Sequence, residues 1–415
     1  MHILVMHRVP DSFVLYAKNI DHTKHDVTYV SVPDRWATLP EGVPARRLER
    51  PGTGDTAAEV LAAVSGLPRP DLVIALSEYD LIPAGRVREA LGVPGDTERD
   101  VLPTRDKVVM KSAVAAAGLR APRFMPLSEA LATGTAGVPW HGPTVLKPRA
   151  GASSEGISTH TNVAAALTAA CREDSLASPD TFEIEEYVEG PIIHVDGLLT
   201  AGEPVAIQAS RYINTCLGYA QGTPLGSVQV DTGPAVVDWA LRCLRAVGIK
   251  NGPFHLEGIE SAEGLVFLEV GARAGGADVP GTFELATGVH MISAQIRCLI
   301  EGSAARPPAR VPEPDERYGW FVVPGHTLGT RYCRISGEQM FRDDPLVWRW
   351  VQRQPDEPVK DVITYADSDI PLAGIVGPAP APVLEDFLTR LFKSVEVQPY
   401  SPPETATAEA SHDRQ

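Results

Sequence analysis

The stretch that most constrains this chain covers residues 254–276 and reads FHLEGIESAEGLVFLEVGARAGG. Two short segments that alternate apolar and polar residues flank 261–264, where a glycine suits the positive φ of a three-residue hairpin loop. If Ser261 pairs with Leu265, the register places Glu257 opposite Glu269. The sequence therefore predicts a β-hairpin on which two carboxylates face each other.

The alternation gives this hairpin a polar face and an apolar face. The polar face carries His255, Glu257, Glu269 and Arg273, and the apolar face carries Phe254, Leu256, Val266, Leu268 and Val270. Opposed carboxylates repel each other, so a cation is expected between them, and a divalent metal with oxygen ligands is the simplest candidate. A solvated hairpin is the alternative, but it does not explain Arg273 and the Gly275-Gly276 pair that follows.

Composition narrows the class of protein. The chain has 415 residues and 44% hydrophobic content, which is enough for two or three domains. A net charge of −16 without a basic stripe argues against nucleic acid as a partner. Five scattered cysteines without a CxxC pair indicate a reducing compartment, and no apolar run has the length of a membrane span. We therefore expect a cytoplasmic protein with no membrane partner.

The first hundred residues predict an α/β unit. Apolar strands at 2–6, 26–30 and 71–76 alternate with a helix at 56–64, which favours a parallel sheet. The PGTGDTA segment at 51–57 matches part of a dinucleotide fingerprint, but it follows ARRLER, which is no hydrophobic strand, so we interpret it as a loop before a helix. An apolar face on this unit is compatible with a homodimer.

The rest of the chain divides at a Pro-rich connector. Residues 101–304 form the second predicted domain, whose first helix has Thr104 as its expected N-cap. The connector at 305–316 precedes a small α+β domain at 317–397. Residues 398–415 are poor in bulky apolar residues and predict a disordered tail.

Two lysines could meet phosphate groups. No GxxxxGK[ST] motif occurs, but the glycine-bearing loop that follows Lys147, residues 149–156, could bind an anion through its backbone N–H groups and through Ser153 and Ser154. Lys107 lies near a helix N-terminus, where the helix dipole disfavours a cation unless an anion is bound nearby. Taken singly, a flexible surface loop and a solvated lysine are the simpler interpretations.

The order of these pieces resembles a known family. Lys107, VLKP with its glycine loop, EEYVEG, and HLEG followed by FLEVGAR are similar to the ATP-grasp superfamily of carboxylate–amine ligases over about residues 2–300. The phrases SRY, PLGS and GPFHLEGI resemble L-amino-acid and peptide ligases of secondary metabolism. The resemblance implies an α/β (α+β) ATP-grasp fold, with a Rossmann-like pre-ATP-grasp domain at 1–100, an ATP-grasp domain at 101–304 whose lid spans about 115–190, and a small β-rich C-terminal domain.

The resemblance also implies roles for individual residues. ATP phosphates would be contacted by the two lysines and the glycine loop, that is by Lys107, Lys147, Ser153, Ser154 and Gly156. The adenine would be held by a hinge made of Glu185, Glu186 and the backbone of Tyr187 and Val188. Glu257 and Glu269 would hold Mg²⁺, or Mn²⁺ in its place. Arg273 would stabilise the transferring phosphoryl group, and Gly275 and Gly276 would let the acyl donor approach the backbone.

The sequence departs from the family pattern at two positions. Ile192 stands where an acidic residue usually binds the ribose, so that role stays open among His194, Asp196 and Glu189. Gly271 replaces an asparagine that ligates metal, so one or two metal ions remain possible. Two assignments also have structural alternatives: His255 is a substrate contact or a hydrogen-bonded structural histidine, and Arg211 binds a substrate carboxylate or forms a surface ion pair.

The implied reaction is ATP-dependent and ADP-forming. A small-molecule carboxylic acid would become an acyl phosphate, and an amine would capture it as an amide, joining amino acids or similar acids in biosynthesis. One alternative uses a thiol or another nucleophile, or carboxylates a cofactor, but no lysine-tethered carrier motif supports it. The other alternative is a non-catalytic ATP-binding module, and the presence of Glu257, Glu269 and Arg273 argues against that.

Overall fold

A computed structural model describes residues 1–172, 178–302 and 306–401 of the chain. Three sheets of four or more strands are found in these ranges, and each has its own hydrophobic core. Within the same ranges, no helix combines the length and the apolar character needed to cross a bilayer.

The N-terminal region is a parallel sheet covered by helices. Its strands are β1 (His2–Met6), β2 (Asp26–Ser31), β3 (Arg46–Glu49) and β4 (Leu72–Ala75), and its helices are α1 (Asp11–Val14), α2 (Tyr16–Asn19), α3 (Thr56–Ala63), α4 (Leu81–Leu91) and α5 (Glu98–Val101). Short 3₁₀ segments lie at Pro33–Thr38, Glu78–Asp80 and Leu102–Thr104. The strand order is β3-β2-β1-β4, and β1 is buried because it lies between two neighbours under helices.

Strand β3 corrects one prediction. The segment ARRLER, dismissed for its polarity, contains an edge strand that pairs in parallel with β2. An edge strand with mostly exposed side chains needs no apolar run. The glycine loop after it is closed internally, because the backbone N–H groups of Gly52, Thr53 and Gly54 donate to the Glu59 carboxylate at 2.7–2.9 Å.

A second, antiparallel sheet follows. Its region contains helices α6 (Lys107–Ala116), α7 (Leu127–Thr133) and α8 (Val163–Arg172), strands β5 (Phe124–Pro126), β6 (Thr144–Pro148), β7 (Ser158–His160) and β8 (Phe182–Glu186), and 3₁₀ segments at Thr135–Gly137 and Pro179–Thr181. The order β5-β8-β6-β7 falls inside the predicted lid at 115–190, whose boundaries remain a prediction. Helix α6 begins after Asp106, whose carboxylate caps Val108 and Val109, so the expected N-cap at Thr104 is wrong.

The rest of the chain builds one large sheet and one separate two-stranded sheet. Its elements are β9 (Ile192–Thr200), β10 (Glu203–Ile213), α9 (Cys216–Ala220), β11 (Leu225–Gln229), α10 (Pro234–Ala246), β12 (Gly252–Ser261), β13 (Gly264–Gly271), α11 (Val279–Thr287), α12 (Met291–Glu301), β14 (Arg317–Val323), β15 (Cys333–Ser336), α13 (Gln339–Arg342), β16 (Val347–Gln352), β17 (Leu372–Ala379), α14 (Ala381–Ser394) and β18 (Glu396–Pro399). The large sheet has the order β13-β12-β9-β10-β11-β14-β17-β16.

The C-terminal region, predicted as a separate small domain at 317–397, shares a sheet with the preceding region. Strand β14 pairs with β11, placing Leu225 opposite Val322, so residues 317–379 extend the sheet that carries the hairpin. The predicted tail at 398–415 also begins too early, because Gln398 and Pro399 pair with β15 as part of β18. Residues 402–415 of that tail lie outside the described residues.

Candidate active site

The hairpin of β12 and β13 places Glu257 opposite Glu269, as predicted. The path to this register differs from the expected one. Ser261 pairs with Gly264 and not with Leu265, so the turn is one residue shorter than predicted. Between the pairs Gly258–Phe267 and Glu257–Glu269, strand β13 has one extra residue, and this irregularity restores the predicted pairing of the two glutamates. Position 258, next to this irregularity, requires a glycine, because a Cβ there would come within 2.5 Å of the Trp239 ring.

The same irregularity changes which side chains enter the core. Leu256 and Val270 pack in the core beneath the hairpin as expected, and so does Phe254. On β13, Phe267 joins this cluster. The predicted Val266 is buried as expected, with 2% exposure, although it lies outside the cluster, and Leu268 is only partly buried. Beyond an inserted residue, every side chain of the strand points to the face opposite to the one that strict alternation predicts. A prediction from alternation alone therefore fails on that part of the strand.

Lys107 is the first residue of α6 and reaches the hairpin. Its Nζ lies 3.3 Å from Oε2 of Glu269 and donates to the Gly151 carbonyl oxygen at 3.2 Å. Burial alone would raise the pKa of Glu269, but Lys107 and Lys147 outweigh it and lower that pKa to about 2. The carboxylate is therefore charged, and 36% of its side chain stays exposed, so it can accept a further cation.

The glycine loop at 149–156 lies beside this pair. Ser154, Gly151, Lys107 and Glu269 line one small recess. Ser153 and Ser154 have positive φ values of 60° and 57°, a local conformation in which successive N–H groups can point to one side. The structure thus brings together the lysine, the loop and the acidic hairpin, as the phosphate hypothesis needs. Gly156 also has a positive φ, 70°, and closes the loop against Pro148.

Lys147 and Glu185 are joined to each other. The Lys147 Nζ lies 2.7 Å from Glu185 Oε1, and both side chains are almost fully buried. Burial would lower the pKa of Lys147, but Glu185 and Glu183 outweigh it and hold the pKa above its usual value. Lys111 contacts both glutamates, at 2.6 Å from Glu183. The Glu185 carboxylate is therefore engaged in ion pairs and not free for adenine, which contradicts its predicted role.

The rest of the predicted hinge lies at the end of β8. The Glu186 carboxylate binds Arg120 and Arg123, with 2.6 Å to Arg123 Nε, so this side chain too is engaged and its predicted adenine contact is not supported. The Tyr187 amide donates to the Pro143 carbonyl oxygen at 3.0 Å, and this residue is 52% exposed. The Tyr187 carbonyl and the Val188 backbone are the hinge groups that the adenine hypothesis still uses.

His194 and Asp196 belong to a buried network next to the hairpin. On β9, His194 pairs with Glu257 and Asp196 pairs with His255. The His194 Nδ1 lies 2.5 Å from Asp196 Oδ2, its Nε2 lies 2.7 Å from Ser227 Oγ, and His255 Nδ1 lies 2.8 Å from Asp196 Oδ1. With 1% and 2% exposure, His194 and Asp196 are closed off from a ribose, so that assignment is wrong.

His255 connects this network to Glu257. Its Nε2 lies 3.3 Å from Glu257 Oε1, which also accepts a hydrogen bond from the Tyr212 hydroxyl at 2.8 Å. Burial would lower the pKa of His255, but Asp196 and Glu257 outweigh it and raise that pKa to about 10. The protonated ring can donate to both carboxylates, which supports the structural alternative for His255. The ring also lines the recess between Lys107 and Arg273.

The ligand atoms of His194, Asp196 and His255 lie within 4.8 Å of one another, as a metal site would require. The same atoms already form hydrogen bonds with each other at 2.5 and 2.8 Å. We therefore interpret this group as a hydrogen-bonded network that orients Glu257.

Arg211 lies in an ion pair away from this cluster. Its guanidinium contacts Glu260 at 2.9 Å and Glu385 at 3.8 Å, and 39% of the side chain is exposed. Its neighbour Tyr212 points to the hairpin carboxylates, so alternation along β10 directs Arg211 to the opposite face. Of the two alternatives predicted for Arg211, the structure supports the surface ion pair and does not support the substrate contact.

Arg273 follows the hairpin and contacts the N-terminal region. Its Nε donates to Glu78 Oε2 at 2.6 Å, and a second nitrogen donates to the Ala274 carbonyl oxygen at 2.8 Å. Burial would lower the pKa of Arg273, and Glu78 more than offsets this. Glu78 also binds Arg105, so one carboxylate anchors two arginines beside Lys107 and Glu269.

Gly275 and Gly276 line a cavity of about 700 Å³ next to Arg273. A Cβ on Gly275 would come within 2.7 Å of Val279 and 3.0 Å of Asp196 Oδ1, so internal packing already requires a glycine there. Ser153 reaches the cavity from the loop, and Glu78 lines it from the N-terminal region. Its volume is that of a typical small-molecule site.

Several residues of the site went unnoticed in the sequence. Lys111 lies four residues after Lys107 on α6, and Glu183 shares strand parity with Glu185, so these two had a detectable signal. Glu78, Tyr212 and the Asp278–Arg349 pair had none, because their partners are distant in sequence.

Comparison with known proteins finds a family model that matches this part of the chain. The model of the ATP-grasp domain family matches residues 140–280, which include the glycine loop, β8, the hairpin and Arg273. An L-amino acid ligase from Bacillus licheniformis has the same fold, with a TM-score of 0.71 at 18% identity, covering 96% of this chain and 98% of that one.

Two sequence relatives of this chain match only in part. Dapdiamide A synthase of Enterobacter agglomerans is 31% identical over 170 residues, which is 37% of this chain and 38% of that protein. The uncharacterized protein y4rH of Sinorhizobium fredii is 25% identical over 226 residues, which is 52% of this chain and 46% of that protein. The match thus spans less than half the length of either relative.

Proposed function

We propose that this chain is an ATP-dependent, ADP-forming carboxylate–amine ligase that joins amino acids or similar acids through an acyl phosphate. One observation carries the proposal: Glu257, Glu269 and Lys107 meet next to the glycine loop, and Arg273 connects this group to a cavity of about 700 Å³. A nucleotide triphosphate and a small acid could therefore lie side by side.

The oxygen donors at the hairpin fit magnesium, or manganese in its place. Glu257 and Glu269 provide hard carboxylate ligands, and Lys107 alone balances only part of their charge. When bound there, the cation would neutralise charge on the ATP phosphates. Whether one or two ions bind is open, because Gly271 offers no side-chain ligand.

The chain's own residues then position the reacting groups. In the first half-reaction, a carboxylate oxygen of the acid attacks the γ-phosphorus of ATP, and the bond to the β-phosphate oxygen breaks with release of ADP. Arg273 faces the cavity from a fixed position on Glu78 and can stabilise the negative charge that spreads over the transferred phosphoryl group.

In the second half-reaction, a neutral amine attacks the acyl carbon, and phosphate leaves with the electrons of the C–O bond. The amine loses a proton, so an amide, ADP and phosphate are the products. The loop at 149–156 lies over Lys107 and Glu269 and would exclude water from the intermediate. Phosphate contacts by Lys107, Ser153 and Ser154, and adenine contacts at Tyr187 and Val188, are part of the proposal.

The expected setting is the cytoplasm, with small molecules as partners and without nucleic acid; a homodimer stays a prediction. The fold neighbour is named an L-amino acid ligase and one relative a dapdiamide synthase, which supports amide formation in biosynthesis for this chain.

A pairwise screen of amino acids, scored by ADP and phosphate release, tests the function. Full turnover should require a carboxylic acid, an amine and Mg²⁺ together, and mass spectrometry should detect the amide. ADP release that needs the acid but no amine would point to another acceptor, and nucleotide binding without any ADP release would reject the ligase.

A further inference from the structure

The cavity of about 700 Å³ has two charged groups of opposite net sign. On the side of Arg273, the Glu78 carboxylate is shared by Arg105 and Arg273, which leaves one net positive charge. In the second group, the Arg349 guanidinium is shared by Asp278 and Asp367, with 2.7 Å to Asp367, which leaves one net negative charge. We call these the arginine end and the aspartate end.

Both ends belong to the same cavity wall. Glu78 and Arg273 line it at the arginine end, and Asp278, Arg349 and Asp367 line it at the aspartate end. The apolar side chains of the wall include Phe13, Ile292 and Tyr365, and a Cβ added at Gly276 would lie 3.8 Å from the Tyr365 ring. A ligand that fits must therefore carry an anionic group, a cationic group and an apolar part.

The aspartate end has a deficit of positive charge. Asp278 has 17% of its side chain exposed, and burial raises the pKa of its carboxyl although Arg349 opposes this. Asp367 competes for the same guanidinium and is 41% exposed. A second cation at this position would be stabilised by both carboxylates.

We infer that the cavity binds an acyl donor with a free, protonated amino group, held by Asp278 and Asp367, and with its carboxylate directed to Arg273. That the bound acid is the donor rests on the proposed ligase function. The apolar wall selects a hydrophobic side chain, so a hydrophobic amino acid is the expected ligand class.

The charge state of the bound amine indicates that Asp278 and Asp367 bind the amino group of the acyl donor and not that of the acceptor. An acceptor amine must lose a proton before it can attack the acyl phosphate, because an ammonium ion has no free electron pair. Two carboxylates stabilise the protonated form. The aspartate end therefore keeps the donor's own amino group unreactive while its carboxylate is activated.

Calorimetry on the full chain tests this inference without turnover. The ligands are L-leucine and L-phenylalanine and their deaminated counterparts, 4-methylpentanoate and 3-phenylpropanoate, in the presence of Mg²⁺ and a non-hydrolysable ATP analogue. We expect the wild type to bind at least one amino acid about tenfold or more tightly than its counterpart. Asp278→Asn and Asp367→Asn should each reduce that preference severalfold while leaving binding of the deaminated acid unchanged.

Asp386→Asn is the matched control, since it removes the same charge from an exposed position on α14 that does not line the cavity. It should leave the preference intact. If Asp278→Asn fails to fold because Arg349 loses a partner, the more exposed Asp367→Asn still provides the test.

Three results would overturn the inference: equal affinity for amino acid and deaminated acid in the wild type, no binding of either amino acid, or an equal loss for both ligand types in the variants. A preference for the amino acid without ADP release for any acid and amine would instead reject the ligase function and leave the binding site standing.

Discussion

Two groups of buried charge lie on neighbouring sheets. In only one of them, which we call the closed group, is every charged side chain both buried and paired with another member of the group. In the closed group, Lys111 and Lys147 balance Glu183 and Glu185, and all four side chains are at most 4% exposed. In the open group, Lys107 faces Glu269 while Glu257 binds Tyr212 and His255. Glu269 remains more than a third exposed, next to the glycine loop.

This difference distinguishes charged residues that stabilise the fold from charged residues that can bind a ligand. Four balanced charges with internal ion pairs have no need of a ligand, and removing one leaves the others uncompensated. Together with Asp196, the open group has three carboxylates against the two cations Lys107 and His255, and it borders two recesses, so it can accept a cation and an anion together. The predictions below test this contrast.

The largest expected effect is loss of turnover on Glu269→Gln. The change removes a negative charge with little change of volume, and it should lower kcat by on the order of a thousandfold because charge neutralisation on ATP is lost. Steady-state ADP release measures it, and circular dichroism checks the fold. Glu260→Gln, on the same hairpin but paired with Arg211, is the control and should stay near wild-type activity. Activity retained by Glu269→Gln would contradict the open group's role.

The closed group should respond in stability. Lys111→Met leaves two buried glutamates with one lysine, and we expect a loss of about 3–5 kcal/mol in the free energy of unfolding, measured by denaturant titration. Lys107→Met should cost far less, since its partner Glu269 can be hydrated. Equal losses for the two variants would show that the two groups do not differ.

Arg273→Ala should lower kcat by about a hundredfold and change ATP affinity little, because the arginine acts on the transferring phosphoryl group. Glu78 keeps Arg105 as a partner, so the fold should persist. Arg211→Ala, at the surface, provides a comparison that should leave kcat unchanged. A change in ATP affinity alone would remove Arg273 from the transition state.

The most gradual expected effect is a pH dependence of stability, spread over several pH units, in the protein without metal and nucleotide. The pKa of His255 is raised to about 10 from an ordinary 6.5, so its contribution is complete below pH 6.5 and is lost as pH rises to 10. The slope should not exceed ~1.4 kcal/mol per pH unit. His255→Asn should remove this slope from thermal denaturation curves, and a slope that persists in the variant would assign it to other groups.

The sequence predicted the elements with strong local signals. Parallel strands β1, β2 and β4 and the pairing of Glu257 with Glu269 followed from alternation and order, whereas a place for Lys107 in the same site was implied only by the family resemblance. The polar edge strand β3 was missed because an edge needs no apolar run, and the core position of Phe267 was not predicted because an inserted residue changes the alternation of the strand.

The predictions for the site residues also failed where the outcome depended on contacts between distant parts of the chain. Glu185, Glu186, His194 and Asp196 were predicted to contact the nucleotide from their position in motifs, yet each carboxylate or imidazole is already engaged by a neighbour. Their partners come from other strands and helices, and a motif does not reveal whether a side chain has such a partner. Arg211 shows the same limit, since Glu260 and Glu385 are distant in sequence.

By itself, the sequence determined that two carboxylates meet across a hairpin followed by an arginine and paired glycines, because strand alternation is a local property of the backbone. Only the tertiary structure decided which charges are balanced and which remain available. Burial and pairing depend on side chains that lie far apart along the chain, and folding alone places Arg273 on Glu78 and Asp278 on Arg349 around one cavity.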